Sequence, residues 1–243
     1  MKWLRADLHL HTALSPCASD AMTPREIAGA AEREGLDVIA VCDHNSCANV
    51  LAVRAAAGGS LKVLAGIEIT TREEVHVLGI FPRMADATSV AGEIARRLPM
   101  RADRDLAFGR QILFDGEGGI SGEEPRMLSA PCAWDLTWTV RAIRDRGGLA
   151  IAAHVNRPSF SVQGRLGFFP REPRFDALEF DPDIPVPGKL PLDQLPPLPR
   201  VYSSDAHCPE MIGRCATLLR CRRADFASIA EAILVPEGRC RLA

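Results

Sequence analysis

The chain has 243 residues, 47% of them apolar, and 29 Lys+Arg against 31 Asp+Glu leave a formal net charge of −2. That length and apolar share fit one α/β domain with a sizeable core and exclude general disorder, and the charge balance gives no global basic field for long nucleic acid or an anionic membrane. No apolar run reaches the ~18–20 residues of a bilayer span and the opening MKWLRADLHLHT has no signal-peptide core, so a cytoplasmic chain without membrane contact is expected.

Residues 3–11 alternate as a strand, with Leu4, Ala6, Leu8 and Leu10 on one face. Thr23-Pro24-Arg25-Glu26 is a capping box with proline at the first helical position, and its helix is predicted to run to about Gly35. Residues 37–42 (DVIAVC) form a short buried strand, followed by a loop and a helix ending near Gly58-Gly59. Strands are predicted at 61–70 and 74–81, helices at 84–97 and 101–114, and a loop over the Gly-rich 115–124. A helix at 134–146 ends at Gly147-Gly148 and leads to a buried strand at 149–154. A short strand at 177–180 precedes residues 182–199, which hold seven of the 18 prolines and read as an extended connector. Residues 201–204 are the last clear strand, and 224–234 a closing helix. Strands alternating with helices imply parallel pairing with crossovers. One domain over 1–243 is expected, with a helical or loop excursion at 84–135.

Two other features point away from chemistry. The eight cysteines show no CxxC pair and no finger spacing, so they read as reduced thiols in the core; Cys17, Cys47 and Cys208 fall close to histidines. The Gly-rich 115–124 lacks GxGxxG spacing and a Gly-Lys-Ser/Thr closure, which leaves a surface loop rather than a phosphate cradle. The arginines at 96, 97, 101, 104 and 110 are interleaved with Asp103 and Asp105 and read as solvated helix faces or a lid over an anionic substrate.

The chain's six histidines are His9, His11, His44, His76, His154 and His207, each within, at the end of, or just after a predicted strand. Ligands gather at strand C-termini in parallel sheets and barrels. Residues two apart on a strand share a face, so His9 and His11 form one pincer and Asp205 and His207 another. Imidazole and carboxylate suit Zn, Mn or Fe. Glu68, flanked by Ile67 and Ile69, is an acid in an apolar strand, and a cation is the simplest compensation for its burial.

These residues resemble the PHP (polymerase and histidinol phosphatase) family of metal-dependent phosphoesterases. DLHLHT at 7–12, the Ser/Asp stretch ending at Asp20, VCDHN at 41–45, GIEIT at 66–70, EVHVLGI at 74–80, AHVNRP at 153–158 and SSDAH at 203–207 match its motifs in order, across nearly the whole chain. The resemblance implies an α/β fold, a distorted (β/α)7 TIM-like barrel with two to three divalent cations at one mouth. By position, it implies one metal on His9, His11, Glu68 and Asp205, and a second on Glu68, His76 and His154. A third would take Asp20, His44 and His207. Asp7 and Asp43 read either as groups that orient imidazoles or as structural acids.

Such a centre lowers the pKa of a shared water and needs no protein nucleophile. Glu68 as bridge and Arg157 as a grip on a phosphate oxygen are the expected catalytic residues, with Arg214 as a weaker second candidate. The expected substrate is a small phosphorylated molecule, a nucleotide or other phosphomonoester, with no long nucleic acid. A short-oligonucleotide exonuclease is the nearest alternative, and a non-catalytic metal-binding accessory module is another. Hydrolysis of a C–N bond is disfavoured because Lys2, Lys62 and Lys189 all lie away from strand C-termini, so no lysine can bridge.

Overall fold

The computed structural model describes residues 1–102, 109–181, 194–235 and 240–243. Its core sheet begins with β1 (Lys2–Leu10), β2 (Val38–Val41) and β3 (Lys62–Thr70), which pair in parallel. Between them run α1 (Pro24–Arg33) and α2 (Val50–Ala56). Thr23 caps α1, its Oγ1 accepting from the Glu26 N–H at 3.3 Å, as the capping box predicts.

β4 (His76–Phe81) departs from that rhythm and pairs antiparallel with β3. The link 71–75 is too short for a crossover and makes a hairpin instead. The N-terminal end of β4 therefore lies beside the C-terminal end of β3, with His76 opposite Thr70. After α3 (Met84–Ala95), the chain forms a two-stranded ribbon, β5 (Ile112–Phe114) against β6 (Ile120–Glu123). The helix expected over 101–114 is corrected in its described part. Asp115 Oδ1 accepts from the N–H groups of Glu117 (2.9 Å) and Gly119 (2.8 Å), which closes a hairpin turn. The Asn49 amide then docks the ribbon, donating to the Ile112 carbonyl at 2.9 Å and accepting from Phe114 N–H at 3.0 Å. A tertiary contact has overridden helical propensity. Residues 103–108 of that expectation, and 182–193 of the proline-rich connector, lie outside the described residues.

α4 (Leu136–Arg144) is capped by Asp135, whose Oδ1 accepts from Trp138 N–H at 2.7 Å, and leads into β7 (Leu149–Ala152), antiparallel to β4. β8 (Ala177–Phe180) and β9 (Arg200–Tyr202) continue in parallel, after the short α5 (Val162–Leu166) that precedes β8. Besides β5 and β6, two strands of the main sheet went unpredicted: β10 (Thr217–Cys221), antiparallel to β1, and β11 (Cys240–Leu242) beyond it, with α6 (Phe226–Leu234) between them in the chain. The nine-stranded order is β11-β10-β1-β2-β3-β4-β7-β8-β9. The sheet curls until its ends nearly meet. Ala206, just past β9, bridges Leu10 of β1, and Thr217 Oγ1 exchanges two 2.8 Å hydrogen bonds with the Tyr202 backbone. The expected α/β barrel is what forms, as a nearly closed mixed sheet.

Two apolar layers follow from strand alternation. The inner one holds Leu4, Ala6, Leu8, Leu64, Leu78 and Ile151, with α6 packing Ile229 and Ile233 into it. The outer one packs Ile39, Val41, Ile67 and Val77 against helix residues such as Ile27, Val53, Val90 and Ile143. β1 belongs to both. Its register against β2 slips between Asp7 and Leu10, so that three residues of β1 oppose two of β2. That bulge reverses the alternation, and Leu10 joins the outer layer rather than sharing a face with Leu4, Ala6 and Leu8. His9 and His11 thereby turn into the barrel. Among the described residues, no helix is long and apolar enough to cross a membrane.

Candidate metal centre

The strand ends converge on a buried cluster. His9 and His11 end β1, His44 follows β2, Glu68 closes β3, His76 opens β4, His154 follows β7, and Asp205 and His207 follow β9. Three of the rim positions, Asn45, His154 and Asp205, take φ of 52°, 28° and 48°, a region ordinary residues avoid. Each strained residue is held by its surroundings. Asn45 Nδ2 donates to the carbonyls of Leu128 (2.8 Å) and Ala130 (2.9 Å), and Glu179 accepts from the His154 N–H at 3.0 Å.

Hydrogen bonds outside the cluster fix which nitrogen of each ring points in. Glu179 lies 3.1 and 3.2 Å from His9 Nδ1, which makes Nδ1 the donor and leaves Nε2 bare. Ser15 Oγ donates to Asp43 Oδ1 at 2.8 Å and so accepts from His11 Nδ1 at 2.8 Å, again leaving Nε2 bare. His207 Nδ1 donates to the Asp205 carbonyl at 2.7 Å. Inside, the bare atoms crowd together. His9 Nε2 and His11 Nε2 are 3.1 Å apart, and both lie 3.1–3.5 Å from oxygens of Glu68 and Asp205. A tetrahedral cation with bonds of about 2.0–2.1 Å separates its ligand atoms by about 3.3–3.4 Å.

Glu68 is the hub. Its Oε1 lies 2.7 Å from His76 Nδ1 and 3.2 Å from His154 Nε2, and its Oε2 lies 2.9 Å from His44 Nδ1. Neither the His44 nor the His76 Nδ1 is aligned for a hydrogen bond, and both are buried nitrogens without a partner. Lone pairs facing lone pairs in a dry site are costly, and a cation between them removes the cost. Three groups of residues bring ligand atoms within 4.8 Å of one another: His9–His11–Asp205, His44–Glu68–His76 and His11–His44–His207. The donor set therefore fits metal ions.

Electrostatics agree. Burial alone would lower His11 and His44, yet Asp205 and Glu68 beside the first and Glu68 beside the second carry both up to about 9. His9 is raised well above its ordinary value, burial being outweighed by Asp205, Glu179 and Glu68. Burial takes His76 down to about 4 and, with the charge of His11, His207 down to about 3. Glu68 and Asp205 resist burial and stay well below the usual carboxylate range because imidazoles surround them. The acids attract positive charge, as protons or as cations.

The other expected site residues divide. Arg157 joins the cluster, pairing with Asp205 and, at 2.9 Å, with Asp181, while Arg214 lies 3.5 Å from Asp181. Asp20 is not brought to the rings. It is exposed and lies 3.5 Å from Arg110, which also pairs with Glu123 at 2.7 Å. Asp43 accepts from Thr12 N–H (2.7 Å), Thr12 Oγ1 (2.8 Å) and Ser15, so it orients His11 only through that serine. Asp7 faces away, holding the N–H groups of Ser204 (3.0 Å) and Gly213 (3.1 Å), and burial pushes its carboxyl up to about 6.

Sequence reasoning missed Glu179. The signal was the one that marked Glu68, an acid between Leu178 and Phe180 in an apolar strand. It touches both His9 and the His154 backbone, and partners of this kind are worth 10–100-fold in metal affinity. Glu179→Gln should weaken cation binding about 10–100-fold with the fold intact. Calorimetric titration of the metal-free variant checks this, and unchanged affinity would reduce Glu179 to a packing residue.

Comparison with known proteins places this geometry. Residues 7–114 match the PHP domain and residues 197–237 the PHP-associated region. The Bacillus subtilis protein YqxK is 24% identical over 98% of this chain, which spans 64% of that protein's length. A Haemophilus influenzae protein named 5'-3' exoribonuclease is 25% identical over 61% of this chain and 68% of its own. The lesion-specific endonuclease Q of Pyrococcus furiosus has the same fold, with a TM-score of 0.69 at 17% identity over 99% of this chain and 58% of that one. Endonuclease Q has also been solved with a 27-mer duplex carrying an abasic lesion. That likeness overturns the expectation of no long nucleic acid. Net charge is a whole-chain sum, whereas contact with a strand is decided by the groups at one rim. The two matches give the kinship: this chain carries a PHP domain over residues 7–114 and a PHP-associated region over residues 197–237.

Proposed function

We propose that the chain is a metal-dependent phosphoesterase that cleaves a phosphate ester of nucleic acid, acting as one domain. The observation that carries it is the ring of inward lone pairs on His9, His11, Glu68 and Asp205, packed at the spacing of ligands around a cation. In this reading His9, His11, Glu68 and Asp205 hold one ion, and Glu68 shares a second with His76 and His154. His44 and His207 hold a third, and Zn, Mn and Fe all suit these donors. Bound there, such ions supply Lewis acidity, a water acidic enough to ionise near neutral pH and neutralisation of phosphoryl charge.

The chain's own groups do the rest. Glu179 and Ser15 keep a proton on Nδ1 of His9 and His11, so that each Nε2 presents its lone pair. Glu68 places two oxygens at the centre of the rings and adds the negative charge that concentrates cations there. Arg157, anchored by Asp181 and Asp205, has N–H donors to spare for a non-bridging phosphate oxygen. No nucleophilic side chain is required.

Two features of the rim support a nucleic-acid substrate. The Phe160 ring stacks on His76 at 4.6 Å between centroids and is 42% exposed, a face on which a base can lie. Arg72 and Arg165 are exposed near the β3–β4 hairpin, where a phosphate backbone would pass. The test is to incubate metal-replete protein with labelled single-stranded RNA, single-stranded DNA and duplex DNA with an abasic site, beside mononucleotides. Shortening of a strand is the expected result. Phosphate release from mononucleotides with every strand left intact would overturn the substrate reading.

A further inference from the structure

We infer that Cys17, not Asp20, completes the outermost cation position, as a sulfur ligand beside His44 and His207. This rests on the metal-centre reading above and adds a ligand that the spacing of histidines and acids does not show.

Cys17 Sγ lies 3.2 Å from His44 Nε2. The turn that carries it is tied to the His11 ring and to the backbones of His44 and His207. Ser15 Oγ accepts from His11 Nδ1 (2.8 Å) and from the His44 N–H (3.1 Å), and the Ser19 N–H donates to the His207 carbonyl at 2.8 Å. Residues 15–19 are thus fixed at both ends to the segments that carry these histidines, with Cys17 between the anchors. The neighbouring group is independently a place for a cation, since ligand atoms of His11, His44 and His207 lie within 4.8 Å of one another. His44 is only 7% exposed, and the nitrogen it turns toward Cys17 is Nε2, opposite the Nδ1 that faces Glu68. His207 spends Nδ1 on the Asp205 carbonyl, which leaves Nε2 as its ligand atom. Asp20, the acid in the same turn, points to Arg110 instead.

Cys17 is exposed, so the ion it holds is the one nearest solvent. Coordination exchanges the S–H bond for a sulfur–metal bond and releases the proton to solvent. Sulfur is a soft donor, so this position ranks zinc, iron and cobalt above magnesium and manganese, whereas the inner positions carry nitrogen and oxygen alone.

Cobalt(II) tests it, because thiolate coordination gives a near-ultraviolet charge-transfer absorption that nitrogen and oxygen ligands lack. The full chain is stripped of metal, reloaded with cobalt and compared with Cys17→Ser, Cys17→His, Asp20→Ala and Cys208→Ser. The unsubstituted chain, Asp20→Ala and Cys208→Ser should all show the band and bind equal cobalt. Cys17→Ser should lose the band and one cobalt per chain, and Cys17→His should regain the ion without the band. Cobalt uptake with visible ligand-field bands but no charge-transfer band in the unsubstituted chain overturns the assignment of Cys17 and leaves the metal centre standing. A band that survives Cys17→Ser overturns it too. No cobalt uptake at all overturns both readings.

Discussion

Glu68→Ala should empty two cation positions at once and lower turnover at least about 10³-fold. The size follows from what one carboxylate touches. Its oxygens lie 2.7 Å from His76, 2.9 Å from His44, 3.2 Å from His154, 3.4 Å from His11 and 3.5 Å from His9. Removing a single well-placed electrostatic group from an active site costs about 10²–10³ in rate, and Glu68→Ala would also remove a group that would hold the ions. His76→Ala is the matched comparison, because in the proposed assignment His76 serves the second position alone and should cost one ion. Elemental analysis of the two purified variants, beside rates on the best substrate, decides the matter. Equal metal losses from both would contradict a shared role for Glu68.

Stripping the metal should lower thermal stability and reverse its dependence on pH above neutrality. In the metal-free protein His76 and His207 sit at about 4 and about 3, below their ordinary 6.5, so the fold opposes their protonation and stability climbs as pH rises through that range. His11 and His44 act in the opposite sense. Despite burial, Glu68 and Asp205 hold them near 9, so their contribution is complete below about pH 6.5 and is lost as pH rises through about 9. Metal-free protein should therefore be most stable near neutrality and fall away by pH 9. Loaded protein should not fall, since cations take over from the protons at higher pH. Free cation at 100 times Kd adds about 2.7 kcal/mol for one site. For a chain of this size that is roughly 5–10 °C in Tm. Scanning calorimetry with and without chelator, from about pH 6 to about pH 9.5, measures both effects. A metal-free Tm still rising between pH 7 and 9 would contradict the charge assignment.

Much of the centre was legible because its signals are local. His9 and His11, and Asp205 and His207, are two apart in sequence, and Glu68 declares itself by sitting between isoleucines. Glu179 carried the same mark but its partner His9 is 170 residues away, and no nearby histidine drew attention to it. Cys17 and Asp20 share one turn, and the family resemblance pointed to the acid; the turn itself sets Cys17 beside His44 and Asp20 beside Arg110. In the fold, the parallel rhythm of β1, β2 and β3 was readable, whereas β10 and β11 were not. Their short segments take their strand character from pairing, β10 with β1 and β11 with β10, rather than from their own pattern. The ribbon of β5 and β6 was misread for a related reason, its backbone being claimed by Asn49. The partner expectation failed on a different ground, because an average over 243 residues carries no information about one rim.

The slip of register in β1 divides the strand's work. Upstream of the slip, the inward side chains of Leu4, Ala6 and Leu8 pack the oily filling; downstream, the inward ones are His9 and His11. Leu4 and Ala6 pack in one apolar cluster to which neither histidine belongs. One strand thus works as two segments, one that fills the barrel and one that turns two imidazoles into its mouth.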